Sequence, residues 1–249
     1  MPSKTNFAIL TVFFLLLLMP AGAQQAVADK PVTGFGADKA PAFSDAQTAL
    51  ISGRKDLKKG IPFLIGKLKD KDPLSRLSAA DNLGLLKSQE ALLPLTKILL
   101  KDSDSRVRQT AAVSLGCLQN PKAIDALIKA LVDEAKQVQI SSIRALAALS
   151  AKEAISPLKK LLQTSTDDDI RLSISGFLAK MGDNSTINEC LAYLEHPNLR
   201  YRILAADALA DMKSAPAEAA LEKALVKEKN KGFKRSIKSH LRRIKAEEN

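Results

Sequence analysis

The sequence predicts an all-α fold, a right-handed superhelical solenoid of about six helix-pair repeats. Three observations carry this. Val107, Ala111, Leu115 and Leu118 are spaced by four, four and three, which is one face of a helix and not the alternation of a strand. The same pattern returns every 31 or 32 residues. And three columns stay in register through all six copies. Arg108 aligns with Arg76, Gln139, Arg171, Arg202 and Lys234. Leu115 aligns with Leu83, Leu146, Leu178, Leu209 and Leu241. Leu118 aligns with Leu86, Leu149, Met181, Met212 and Ile244. Self-similarity at such a period marks a stack of identical supersecondary units.

The N-terminal elements precede the repeats. Residues 1–23 read as a secretory signal: Lys4 makes the n-region positive, 7–19 is an apolar run interrupted by Thr11, and Ala21-Gly22-Ala23 forms a small-residue cleavage site. The apolar run is shorter than the roughly 18–20 residues a membrane-spanning helix needs. The expected location is therefore exported, and periplasmic if the source is a Gram-negative bacterium. Residues 24–43 contain Pro31, Gly34, Gly36 and Pro41 without helical period and read as a flexible linker. Ser44 and Gln47 then offer a capping box, opening a half-repeat cap over 44–57. Repeats follow at about 58–87, 88–119, 120–150, 151–182, 183–213 and 214–245, within a repeat domain spanning 44–249.

Within repeat two the first helix is expected over 88–100 and the second over 105–118, joined by the polar turn Lys101-Asp102-Ser103-Asp104. Pro62, Pro94 and Pro157 share one column near the start of the first helix, where a missing N–H leaves no carbonyl unserved.

The pattern Asp102-x5-Arg108 followed by Ala111-Ala112-x2-Leu115-Gly116 resembles the HEAT repeat, and more narrowly the short HEAT-like repeats of bilin lyases. The resemblance covers about residues 58–244. It implies that the arginines Arg76, Arg108, Arg171 and Arg202 form a structural ladder with turn acids of their own or the next repeat, here Asp70, Asp102 and Asp133. The ladder departs from the pattern at Gln139, which replaces an arginine, and at Ser165 and His196, which replace acids.

Charge and chemistry narrow the function. The formal net charge is +11, but residues 223–249 hold ten Lys/Arg against three Asp/Glu, so the body is nearly balanced. The inner column of the second helices reads Asp81, Val113, Arg144, Gly176, Asp207 and Ser239. Mixed signs there disfavour a nucleic-acid groove, which needs a run of cations. They suit a protein partner, with Asp81, Val113, Arg144 and Asp207 as candidate contacts. No catalytic set, metal site or cofactor is expected. The two histidines, His196 and His240, stand alone, and no phosphate-binding glycine loop occurs. HEAT-repeat di-iron hydroxylases carry several His-Glu pairs, and this chain has none. Cys117 and Cys190 are expected about 30 Å apart from the spacing of packed helices, too far for a disulfide. Asp167-Asp168-Asp169 reads as favourable charge at a helix N-terminus.

The expected function is an exported, non-enzymatic, monomeric interaction scaffold that binds a partner protein on its concave face. The alternative is a bilin-lyase-like accessory factor holding a protein or chromophore substrate. The basic segment 231–245 adds a weak contact to an anionic membrane or acidic protein.

Overall fold

A computed structural model describes residues 54–247. The signal, the linker and residues 44–53 of the cap lie outside the described residues. Twelve α-helices form six pairs, and no strand occurs among the described residues. The pairs are α1 (Arg54–Lys67) with α2 (Pro73–Leu85), α3 (Leu92–Lys101) with α4 (Ser105–Leu118), and α5 (Ile124–Lys129) with α6 (Lys136–Ala148). They continue with α7 (Ile155–Thr164) and α8 (Asp168–Lys180), α9 (Ile187–Tyr193) and α10 (Leu199–Met212), and α11 (Ala215–Lys227) and α12 (Lys231–Glu247). Helix α1 runs unbroken through residue 57, where the cap was expected to end, so Pro62 lies inside it. Pro94 and Pro157 each fall in the first turn of their helices.

Each second helix starts and stops by a device repeated down the chain. Asp72, Asp104, Asp167 and Asn198 cap α2, α4, α8 and α10, their side chains accepting backbone N–H groups of the first turn. Asn230 accepts the N–H of Phe233 in the same way. Ala135 occupies this column in repeat three and supplies no cap. The second helices of the first five repeats end on a left-handed residue, in turn Lys87, Gln119, Ser150, Gly182 and Lys213.

The leucine column is the core. Leu83, Leu115, Leu146, Leu178 and Leu209 are fully buried, and Leu241 nearly so. A first-helix column of Leu95, Leu127, Leu158, Cys190 and Leu221 is equally buried. Cys190 thus fills a leucine's place. Neighbouring second helices approach very closely at small residues. A Cβ added at Gly84 would sit 2.8 Å from Ser114 Cα, and one at Gly116 3.1 Å from Ala145 Cα. Ser114 Oγ uses the closeness to donate to the Ala80 carbonyl at 2.8 Å. Most successive second helices from α2 to α10 pack along their length, whereas successive first helices meet over far less surface. A stack tied more tightly on one side curves toward that side, so the second helices line the inner face.

One seam differs. In the column of Ser114, Ala145 and Ala208, repeat four carries Phe177, which is fully buried. Its bulk holds α6 and α8 further apart than α4 and α6 or α8 and α10. The apolar core divides at the same place. Ile170, Ile174, Phe177 and Leu178 of α8 join the N-terminal cluster, while Leu172 and Ala179 join the C-terminal one.

Candidate binding face and its supporting ladder

The ladder arginines Arg76, Arg108, Arg171 and Arg202 point to the turns, and each reaches two repeats at once. Arg76 Nη1 donates to the Asp70 carbonyl at 3.0 Å, while its Nε and Nη2 hold both oxygens of Asp102 at 2.7 Å each. Arg108 repeats this, with Nη1 on the Asp102 carbonyl at 2.9 Å and Asp133 held at 2.8 and 2.9 Å. Arg202 holds the His196 carbonyl at 3.0 Å and Glu228 at 3.1 and 3.3 Å. The planar fork of donors matches a carboxylate and a carbonyl together. In these rungs the acid always belongs to the next repeat, and the arginine's own turn contributes its carbonyl. Asp70, with no preceding arginine in register, pairs with Lys67 at 2.8 Å. Burial works to raise the Asp102 carboxyl, but the bonds from Arg76 and from the Asp104 N–H outweigh it and leave it below the ordinary carboxylate range.

The two irregular rungs are resolved differently. Arg171 finds no acid at position 196 and takes Glu189 of α9 at 2.6 Å, with its own-turn bond to the Ser165 carbonyl intact at 2.8 Å. Gln139 reaches the Asp133 carbonyl at 2.6 Å but no carboxylate of repeat four. That junction is tied one turn earlier, by Lys136 Nζ lying 3.0 Å from Asp167 and 3.1 Å from Asp169.

On the inner face the expected contact residues separate. Arg144, Gly176 and Asp207, from α6, α8 and α10, line one groove of about 210 Å³, with Phe177 in its wall. Asp81 and Val113 lie on α2 and α4, outside it; both are exposed. The protein around Asp81 withholds enough water to push its carboxyl above the ordinary value. Gly176 meets nothing within 4 Å of where a Cβ would stand, so the floor of the groove is open there. Arg144 is exposed and makes no hydrogen bond or ion pair, and Lys180 at the end of α8 is the same. The acids opposite them are engaged: Asp207 lies 2.8 Å from His240 Nε2, and Asp211 lies 2.7 Å from Arg243.

His240 Nε2 also lies 3.3 Å from Ser236 Oγ. A serine, a histidine and an aspartate therefore meet, which the sequence had not singled out. Both partners share one ring nitrogen, whereas a proton relay needs them on opposite nitrogens. The cluster positions Asp207 and α12; it has no nucleophile-activating geometry. Among the described residues no group of three or more His, Cys, Asp and Glu is placed to hold a metal, and no helix is long and apolar enough to cross a membrane. Both cysteines are free. Asp167 caps α8, and Asp168 accepts a short bond from the Tyr193 hydroxyl. Helix α12 buries Phe233, Ile237, Leu241 and Ile244 and exposes Lys231, Arg235, Lys238 and Arg242, while Arg243 and Lys245 pair with Asp211 and Glu222.

A family model of HEAT repeats matches residues 45–116 and 92–177, together just over half of the chain. The chain belongs to the HEAT-repeat family. Solved HEAT-like structures agree on the fold. The chain is similar to one from the complex of CpcE and CpcF of phycocyanin lyase from Nostoc sp. PCC7120. That likeness has 20% identity and a TM-score of 0.54, over 86% of this chain and all of that one. It is also similar to an archaeal HEAT-like repeats protein from Thermococcus onnurineus NA1, at 15% identity and a TM-score of 0.50, over 84% of this chain and 99% of that one. No curated protein matches the chain in sequence.

Sequence reasoning missed three parts of this HEAT-repeat surface. Glu189 and Lys136 lie outside the columns that define the ladder. The cap column Asp72, Asp104, Asp167, Asn198 and Asn230 was readable, since all are capping residues one before a helix. Phe177 was readable too, as the large apolar side chain between Ala145 and Ala208 in its column.

Proposed function

We propose that this HEAT-repeat protein is a non-enzymatic binding scaffold that takes a segment of a partner protein on its inner face. The observation that carries the reading is the groove at Gly176, where an unpaired Arg144 and Lys180 face Asp207 and Asp211 across an open floor. Charges of both signs on one curved face favour a partner of mixed polarity over a nucleic acid. The inner surface of a solenoid is also an extended concave surface of the kind that repeat proteins use for binding. The reading includes export from the cytoplasm by the signal at residues 1–23, and a monomeric state.

A crosslinking pull-down from the envelope fraction tests it, with wild type beside Gly176→Trp and beside Asp81→Lys/Asp207→Lys. A Cβ at Gly176 meets nothing within 4 Å, so the tryptophan side chain starts into the open groove. A partner recovered by wild type and lost by Gly176→Trp supports the inner groove. A partner retained by both variants moves the site to the outer face or to α12. The alternative, an accessory factor holding a chromophore, is disfavoured by a groove whose aromatic lining is Phe177 alone. Visible absorbance of the purified protein would revive it.

A further inference from the structure

A larger hollow lies between the first helices α9 and α11 and the turns that follow them, with Arg202 of α10 in its lining. Its volume is about 660 Å³, against 210 Å³ for the inner groove. Its cause is legible in the residues. Helix α9 is only seven residues long, and α11 is rich in alanine. Ala224 stands in the column where repeats two and four carry Ile98 and Leu161, and Ala220 stands beside it facing the same space. Leu191 and Leu194 of the α9 end complete an apolar wall.

The rim is charged and its charges do not cancel. Glu195 is tied to Lys227 at 3.0 Å, and Glu228 to Arg202 at 3.1 Å and to the backbone N–H groups of Lys229 and Asn230. The carboxylates are thereby spent. Lys223 and Lys229 also line the hollow, are exposed, and make no hydrogen bond or ion pair through their ammonium groups. Lys223 adds its charge to that of Lys227 in lowering the Glu195 carboxyl, yet the lining sets four cations, Arg202, Lys223, Lys227 and Lys229, against two carboxylates. An apolar chamber with this net positive rim is complementary to a molecule with an apolar body and an anionic head. The volume lies within the range of small-molecule sites, roughly 300–1,000 Å³. The hollow stays within the one seam between repeats five and six and does not continue along the stack, which suits a small molecule and not an extended peptide.

We infer that the α9–α11 hollow is a binding site for a small amphipathic acid, its apolar chain against Leu191, Leu194, Ala220 and Ala224 and its anionic group held by Lys223 and Lys229. This site is separate from the inner groove and stands or falls independently of the partner proposed there.

Calorimetric titration of the full mature chain with decanoate and with decylamine, both below their micelle concentrations, tests it. Saturable binding of decanoate and none of decylamine is expected. Lys223→Glu/Lys229→Glu should weaken decanoate by about tenfold or more. Ala224→Phe should abolish it while leaving the melting temperature unchanged, since this column accepts large side chains in other repeats; should that variant fail to fold, Ala220→Leu replaces it. Absence of saturable decanoate binding overturns the inference. So does equal binding of decylamine, or decanoate binding undiminished in the folded space-filling variant.

Discussion

Arg76 grips both oxygens of Asp102, twenty-six residues further on and in the next repeat, through two bonds of 2.7 Å. The bond joins repeats more than it joins helices within a repeat. Arg108, which makes the same link to Asp133, is the most buried arginine of the ladder, its side chain 8% exposed. Truncating Arg108 leaves the largely buried Asp133 carboxylate without its cation, with the Ala135 N–H as its remaining donor, and takes the Arg108 donor from the Asp102 carbonyl. Arg108→Ala should destabilise the fold by about 3 kcal/mol, read as a lower urea midpoint with partner capture intact in the folded protein. Arg108→Lys should recover only part of this, because one ammonium cannot span two carboxylate oxygens and a carbonyl. Unchanged unfolding in both variants would refute the ladder as a source of stability.

The glycines of the second helices should respond with opposite signs. At Gly84 an added methyl meets the backbone of Ser114, so Gly84→Ala should cost about 1–3 kcal/mol through forced separation of α2 and α4. At Gly176 the same methyl meets nothing, so Gly176→Ala should stabilise by about 0.5–1 kcal/mol through helix propensity alone. Paired thermal melts measure both; equal signs would show that helix spacing on the inner face is not set by these contacts.

Acid should loosen the tie between repeats four and five, which is intact at neutral pH. Lys159, 2.6 Å away, and the Ser185 hydroxyl lower the Asp183 carboxyl from 3.8 to about 2. A carboxyl depressed in the folded state contributes stability above its unfolded value, lost as pH falls through the folded one. The stability gap between wild type and Asp183→Asn should therefore be constant above about pH 5 and close between about pH 4 and pH 2. A gap that persists at pH 2, or is absent at pH 6, would count against the pair.

The two thiols should be sluggish and unequal. Burial pushes Cys190 up to about 11 and raises Cys117 as well, so neither carries much thiolate at neutral pH. Cys117, the more exposed of the two, should label first with a thiol reagent, and Cys190 only at the rate of unfolding. Fast labelling of Cys190 in the native protein would mean that α9 opens locally.

The repeat architecture was readable because the core columns obey one period, and Leu83 through Leu241 are buried as that period demands. Helix α4 begins and ends at the expected residues 105 and 118 because its cap, its face and its stop all agree. Other parts were hidden for identifiable reasons. The direction of the ladder, always forward to the next repeat, follows from the offset between stacked turns, which sequence spacing does not contain. Glu189 was invisible because a rung acid was sought in the turn and it lies on a helix. Of the inner column, Arg144, Gly176 and Asp207 share a groove that Asp81 and Val113 do not line, because Phe177 opens one seam and closely packed small residues hold the N-terminal second helices together.

The division of the core at α8 has a mechanical consequence. Two stiff blocks joined through one helix behave as springs in series, and the joint beside Phe177 is also where the ladder lacks its guanidinium and repeat three lacks its cap. Bending and twisting strain will collect at that joint. A ligand lying across α6, α8 and α10 would splint it, so occupancy of the groove changes the compliance of the whole rod as well as its surface.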